Sequence, residues 1–207
     1  MKKLAFAFLL AAGLLCASPI TATVKLVDAG HPPLSDGHYY VGPYDLLINW
    51  QTVAALCIDF SDRTDTGTSW TAYLSNVGGD ISHTYHPTYD VKYKEVAYLY
   101  SLITEPSADR IHIQHAAWAI MGGYTVSPYG TSHDFIELAE DNYSSLDFTG
   151  YQIVSGINWW NHEQEFLIYT PPCPTAPEPA SLGLFGLGLA GAFAARRWRK
   201  KQLSQNL

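Results

Sequence analysis

Apolar residues in the first and last thirds of the central region alternate with polar ones, which is the period of a β-strand. Gly42-Pro43 interrupts one of these runs. The alternation predicts strands at residues 24–27, 39–48, 53–60, 151–154 and 165–169. In the run 53–60 it places Leu56, Ile58 and Phe60 on one face of the strand, and Val53, Ala55, Cys57 and Asp59 on the opposite face.

Between these strands the apolar spacing changes to three and four residues, which is the period of an amphipathic helix. A first helix is predicted over residues 93–103, and a second over residues 108–121, capped by Ser107 and ended by Gly122-Gly123. A third helix is predicted from Ser132 onwards. Strands, clustered helices and again strands are typical of an α+β domain: an antiparallel sheet or barrel with an inserted helical subdomain.

The first 22 residues have the pattern of a secretory signal peptide. Two lysines precede about twelve apolar residues, which are fewer than the roughly 20 that span a bilayer, and small residues follow. We expect cleavage after Ala22, with Ser18 as the alternative site. The globular domain is then expected to cover residues 23–169.

The C-terminal region is expected to direct the transport of the protein and not to form part of the folded domain. A Pro-rich linker (170–181) leads into an apolar segment (182–195) and a basic tail (196–207), which should stay in the cytoplasm. With Pro177-Glu178-Pro179 ahead of the apolar segment, this order resembles the PEP-CTERM sorting signal of Gram-negative bacteria. The resemblance implies export, transient membrane anchoring, and processing by an exosortase that leaves the protein at the cell surface or in the extracellular matrix; a plain tail anchor is the alternative.

The charge of the central domain limits which kinds of partner are expected. It is counted without the predicted signal peptide and the C-terminal region. Residues 23–172 hold five Lys and Arg against eighteen Asp and Glu, although the whole chain has a net charge of only -7. A domain this acidic lacks the basic patch that binds phosphates, so nucleic acid is excluded as the expected partner.

One glutamine of the second predicted helix lies on its apolar face. Gln114 shares that face with Ile111, Ala117, Trp118 and Met121. A buried amide needs hydrogen-bond partners. Cys57 is the one cysteine within residues 23–169, and the two side chains meet if the helix covers the Cys57 side of the strand.

The segments around these two residues resemble the bacterial thioester domains, best known from Gram-positive surface adhesins. Leu56-Cys57-Ile58 matches the first motif of that family, and Ile113-Gln114-His115-Ala116-Ala117-Trp118 matches the second. The resemblance implies an internal thioester, in which the Cys57 sulfur has displaced ammonia from the Gln114 side chain. A lysine amine or a sugar hydroxyl of a target then attacks the bond and becomes covalently attached.

Such a protein reacts once, needs no cofactor and is not an enzyme in the usual sense. His112 and His115 are the nearest candidates in sequence for a base that deprotonates the nucleophile. Asp59, on the Cys57 face of its strand, is a candidate for holding the pair in place, or else a turn-capping carboxylate.

Other readings of the same residues stay open. Cys57 and Cys173 form a disulfide, or Cys57 is a buried free thiol, if no thioester exists. A non-covalent module held in exopolysaccharide by aromatic stacking is the alternative function, with the patch 159–162 as its candidate surface. His83 with His86, like His112 with His115, has a spacing of three but no converging carboxylate or thiolate, so no metal site is predicted.

Overall fold

The computed structural model describes residues 20–29, 34–105, 108–158 and 163–172. The chain divides after Thr170 into two units. Of the second unit, only Pro171 and Pro172 are among the described residues. The predicted signal peptide up to Pro19, the patch 159–162, Cys173, the PEP motif, the apolar segment and the basic tail all lie outside them.

Six antiparallel strands close into a barrel. They are β1 (Ile20–Asp28), β4 (Tyr44–Ile48), β5 (Gln51–Cys57), β6 (Ser69–Asn76), β7 (Tyr151–Gly156) and β8 (Phe166–Tyr169). Their order around the barrel is β1-β4-β5-β8-β7-β6. A separate short hairpin is formed by β2 (Leu34–Ser35) and β3 (Tyr40–Val41). Closure leaves the barrel without open sheet edges.

Three helices lie between β6 and β7, which pair with each other directly. They are α1 (Asp90–Ile103), α2 (Arg110–Met121) and α3 (Thr131–Asn142). The α+β class, with an antiparallel barrel and an inserted helical part, is therefore confirmed. None of the helices among the described residues is long and apolar enough to cross a membrane.

The ends of α2 show why this segment is helical. Asp109 caps its start by accepting a hydrogen bond from the backbone N–H of His112, and Gly122 ends it in the left-handed conformation with φ 93°. The predicted cap, Ser107, lies outside the described residues. The predicted stop at Gly122-Gly123 is confirmed.

Alternation along the strands produces two hydrophobic cores. The first fills the barrel, to which all six strands contribute, with Val24, Leu46, Ala55, Cys57, Ala72, Val154 and Phe166 among its members. The second lies between the outside of the barrel and the helices, and includes Leu56, Ile58, Tyr93, Leu99, Ile113, Ala117, Ile153 and Leu167. Burying an aliphatic side chain completely stabilises the folded state by about 1.5–3 kcal/mol relative to leaving it exposed.

This arrangement decides which side of strand β5 the helices cover, which the sequence left open. They cover the side of Leu56 and Ile58, whereas the Cys57 side chain belongs to the barrel core. The strand also ends at Cys57, so Phe60 does not continue the Leu56 face and packs with the barrel core instead. Helix α2 nevertheless reaches Cys57, because that residue is the last of its strand.

Strand β1 bears on the signal peptide prediction, because it begins at Ile20. Ala22 is buried and pairs with Ala72 of β6. Cleavage after Ala22 removes three residues of this strand, while the alternative cut after Ser18 leaves the strand whole. If the first residues are a signal peptide, as the sequence predicts, processing after Ser18 suits the barrel better than processing after Ala22.

Candidate functional site

Cys57 and Gln114 lie against each other where β5 ends. Both residues are completely buried. The Gln114 side chain donates a hydrogen bond from Nε2 to the backbone oxygen of Cys57 at 2.6 Å. The structure thus brings together the two residues that the motifs single out, although they are far apart in sequence.

The other end of the Gln114 amide faces the segment between β3 and β4. Its Oε1 accepts a hydrogen bond from the backbone N–H of Gly42 at 3.1 Å. A Cβ atom on Gly42 would lie 3.1 Å from this oxygen and 3.4 Å from the backbone oxygen of Ala55. The two hydrogen bonds fix the plane of the amide, and the absence of a side chain at Gly42 permits the close approach.

The Cys57 thiol is held in an apolar setting and donates to the backbone oxygen of Asp59 at 3.1 Å. Burial raises its pKa to about 12, against smaller opposing effects of the Trp118 side chain and the Asp59 backbone. The thiol is therefore protonated at neutral pH and shielded from reagents. Asp59 itself accepts from the Ser61 backbone N–H at 2.8 Å, which is the turn-capping role weighed for it above.

An aromatic cluster covers this pair, consisting of Tyr39, Phe60, His115, Trp118 and Tyr124. The Phe60 ring lies 4.9 Å from Tyr39, 5.0 Å from Trp118 and 4.9 Å from Tyr124, measured between ring centroids. Such a cluster buries a large apolar area and keeps water away from the groups beneath it.

The two candidate histidines have different positions. His115 is partly buried, and its Nε2 lies 2.7 Å from Oδ2 of Asp36 in the β2–β3 hairpin. Burial raises the pKa of Asp36, but the backbone N–H groups of Tyr39 and His38 and the His115 side chain together lower it below its usual value. His115 therefore ties the hairpin to α2 beside Gln114, whereas His112 is half exposed and pairs with the helix cap Asp109.

A cleft of about 510 Å³ leads to the aromatic cluster. Its walls combine aromatic rings with polar side chains, among them Tyr40, Tyr44, Phe60, Trp118, Asp62, Arg63, Asp65 and Gln164. Arg63 and Asp65 on its rim form an exposed ion pair at 2.9 Å. Trp118 forms part of the inner wall of the cleft, although its side chain is almost completely buried, and it belongs to the same core as Cys57.

Glu165, just before β8, is a functional candidate that the sequence pattern did not reveal. Its buried carboxylate accepts hydrogen bonds from Tyr85 N (2.9 Å), Tyr93 Oη (2.7 Å) and Ser155 Oγ (2.6 Å). Burial raises its pKa to about 7, although the three donors favour the ionised form. Its backbone oxygen also accepts from Ile58 N at 2.9 Å, so Glu165 holds the chain next to Cys57.

The two histidines of the other pair spaced by three are stacked on aromatic rings. His83 stacks on Tyr73 at 4.5 Å and His86 on Tyr89 at 4.6 Å. Within residues 20–29, 34–105, 108–158 and 163–172 there is no group of three or more metal-ligating side chains. Cys57 is a free thiol in the structure, and the alternative partner Cys173 lies outside these ranges.

Comparison with known proteins identifies a sorting signal in the C-terminal region. Residues 175–200 match the PEP-CTERM protein-sorting motif, so the protein is exported and processed by an exosortase to the cell surface or the extracellular space. The match leaves the barrel and its helices unassigned. No curated protein and no solved structure matches the chain.

Proposed function

We propose that the exported protein attaches covalently to a target through an internal thioester between Cys57 and Gln114. The observation that carries the proposal is the 2.6 Å hydrogen bond from Gln114 Nε2 to the Cys57 backbone oxygen, which sets a buried amide against a buried cysteine. A completely buried glutamine amide is unusual in an apolar core, whereas a buried cysteine is common there.

Formation of the bond requires only these two side chains. The Cys57 sulfur adds to Cδ of Gln114, the Cδ–N bond breaks, and ammonia leaves with the proton of the thiol. Negative charge develops on Oε1 during this step, and the Gly42 N–H already points at that oxygen from 3.1 Å. A fixed backbone donor at such a position stabilises the tetrahedral intermediate.

Reaction with the target breaks the new bond. A lysine amine or a sugar hydroxyl enters through the cleft beside Trp118 and attacks Cδ of Gln114. The Cδ–S bond breaks, sulfur takes the electron pair, and the proton of the nucleophile ends on sulfur. The target is left bound to Gln114 by an amide or an ester, and the protein does not turn over.

His115 is better placed than His112 to serve this reaction, because its ring packs against Trp118 at 5.8 Å and Tyr124 at 4.8 Å. Its hydrogen bond to Asp36 gives it a structural duty as well. Accepting a proton from the incoming nucleophile is the role that we assign to it as a candidate base.

Intact mass of the full chain tests the proposal, with Cys173→Ser present to exclude the disulfide. The expected mass is lower than the sequence mass by one ammonia, and methylamine adds its own mass at Gln114 while releasing one titratable thiol. A second substitution, Cys57→Ala, serves as the control and abolishes both changes. Full unmodified mass, quantitative alkylation of Cys57 after unfolding and no amine incorporation would refute the thioester and favour the non-covalent exopolysaccharide module.

A further inference from the structure

Two tryptophan side chains among the described residues carry a buried indole N–H without a hydrogen-bond partner: Trp70 and Trp118. Leaving such a donor unpaired costs free energy on the order of 1–3 kcal/mol. Trp118 is four residues after Gln114, so both side chains lie on the same face of α2. Its ring also belongs to the barrel core, as Cys57 does.

The position of this donor matters because of how a thioester opens. When a nucleophile displaces the Cys57 sulfur, the electron pair of the breaking bond stays on that sulfur, which is buried away from water. Burial raises the pKa of the Cys57 thiol to about 12, which makes the bare thiolate a poor leaving group. The Trp118 side chain acts in the opposite direction: its indole N–H favours the thiolate as a donor to the sulfur, although it is not in hydrogen-bonding geometry with the sulfur of the resting thiol.

We infer that the Trp118 indole N–H donates a hydrogen bond to the Cys57 sulfur as that sulfur leaves Gln114, which makes Trp118 a catalytic residue of thioester opening. This inference rests on the proposed function. The indole keeps its own proton throughout, and the proton that ends on sulfur comes from the attacking amine. The unpaired N–H of the resting protein is thus a donor held ready for a charge that appears only during the reaction.

The ring of Trp118 also packs on Phe60 and lines the cleft. A test must therefore distinguish the effect of losing the N–H from the effect of changing the shape of the ring. Replacement by 3-benzothienylalanine keeps the bicyclic ring and puts sulfur in place of N–H. Trp70 provides the matched control, because its N–H is equally buried and unpaired but its ring stacks on Phe166, at 6.2 Å, inside the barrel.

The experiment uses the full chain and methylamine as the nucleophile, with intact mass as the readout. Wild type and both variants are first checked for the loss of one ammonia, which tests the proposed function separately. We expect the Trp118 replacement to open about tenfold to a hundredfold more slowly, in line with a hydrogen bond to a charged group, and the Trp70 replacement to open at the wild-type rate. Opening of the Trp118 variant within twofold of wild type, or equal slowing by both replacements, overturns the inference.

Nuclear magnetic resonance on ¹⁵N-tryptophan protein tests the same contact without a variant, and it decides the matter if the Trp118 replacement fails to form the thioester. We expect methylamine opening to move the Trp118 indole N–H signal downfield, since the thiol sulfur is a better acceptor than the thioester sulfur, while the Trp70 signal stays in place. A Trp118 signal that does not move overturns the inference.

Discussion

At the scale of single residues, Gly42 is the position where a side chain would crowd the Gln114 amide. We expect Gly42→Ala to push the Gln114 amide out of line, since the new Cβ would lie 3.1 Å from Oε1. The thioester fraction should fall severalfold and the free energy of unfolding by about 1–3 kcal/mol, as in other overpacked sites. Intact mass and urea unfolding measure the two effects. Gly130→Ala is the matched control, because its Cβ would make an ordinary 3.5 Å contact with Ser127; ammonia loss in Gly42→Ala equal to that of the control contradicts the role of Gly42.

Glu165 should make stability depend on pH. Burial raises its pKa from 4.5 to about 7, so between these values the folded protein keeps a proton that the unfolded chain releases. Its contribution to the free energy of unfolding is therefore fully present below pH 4.5 and is lost as the pH rises through about 7, by up to about 3 kcal/mol.

Glu165→Gln isolates this contribution, because the amide can still accept from Tyr85 and Ser155 while donating to the Tyr93 hydroxyl. We expect urea unfolding at pH 5 and pH 8 to show a smaller difference in the variant than in wild type. Glu137→Gln, on the exposed side of α3, is the control. The interpretation is wrong if Glu165→Gln shows the same pH dependence as wild type.

The chemistry of the site was partly predictable at this scale. The pairing of Cys57 with Gln114 followed from two short motifs. The roles of Gly42 and Glu165 did not follow from the sequence. Gly42 contacts Gln114, and Glu165 contacts Tyr93, each across 72 positions of the chain, and no local sequence pattern predicts such a contact. The unpaired state of the Trp118 N–H depends on every neighbour of its ring and requires the packed structure to be seen.

At the scale of elements, the β2–β3 hairpin is held over the site by Asp36 and His115. Asp36→Asn weakens this contact while keeping the size of the side chain, so we expect faster hydrogen exchange at the amides of residues 39–42. Faster hydrolysis of the thioester by water should accompany it, because the Gly42 contact belongs to the same segment. Asp109→Asn, which alters the exposed His112 contact instead, is the control. Unchanged exchange at these amides in Asp36→Asn would show that the hairpin is held by other contacts.

Element boundaries were predicted where local signals are strong and missed where they are weak. The stop of α2 at Gly122 and the break at Gly42-Pro43 follow from backbone chemistry that acts within a few residues. Strand β6 was not predicted, because its alternation of Trp70, Ala72 and Leu74 with Thr71 and Tyr73 is blurred by an aromatic residue on the outer face. Which side of β5 the helices cover is a tertiary choice, and the sequence alone left it open.

At the scale of the whole molecule, the matched sorting motif leads to a prediction about the mature protein. We expect the form recovered from the cell surface or the medium to lack the segment from residue 182 onwards, since the apolar segment and basic tail serve delivery. Mass spectrometry of the C-terminal peptide from the native host measures this. Deletion of the exosortase serves as the control and should retain the tail, whereas recovery of residues 196–201 on surface protein from normal cells argues against sorting.

The insertion of the helices between β6 and β7 also determines how the protein carries tension. If the proposed attachment forms, a target held at Gln114 pulls on α2, and with the chain fixed on its C-terminal side the force runs through α3, β7 and β8 to Thr170. With the proposed bond to Cys57 opened, β1 to β6 and α1 would lie outside this covalent path and would bear load only through their packing. Resistance to pulling would then depend on the antiparallel pairing of β7 with β6 and of β8 with β5. The other barrel strands would hold the two loaded strands by non-covalent pairing, without being part of the covalent path that transmits the force.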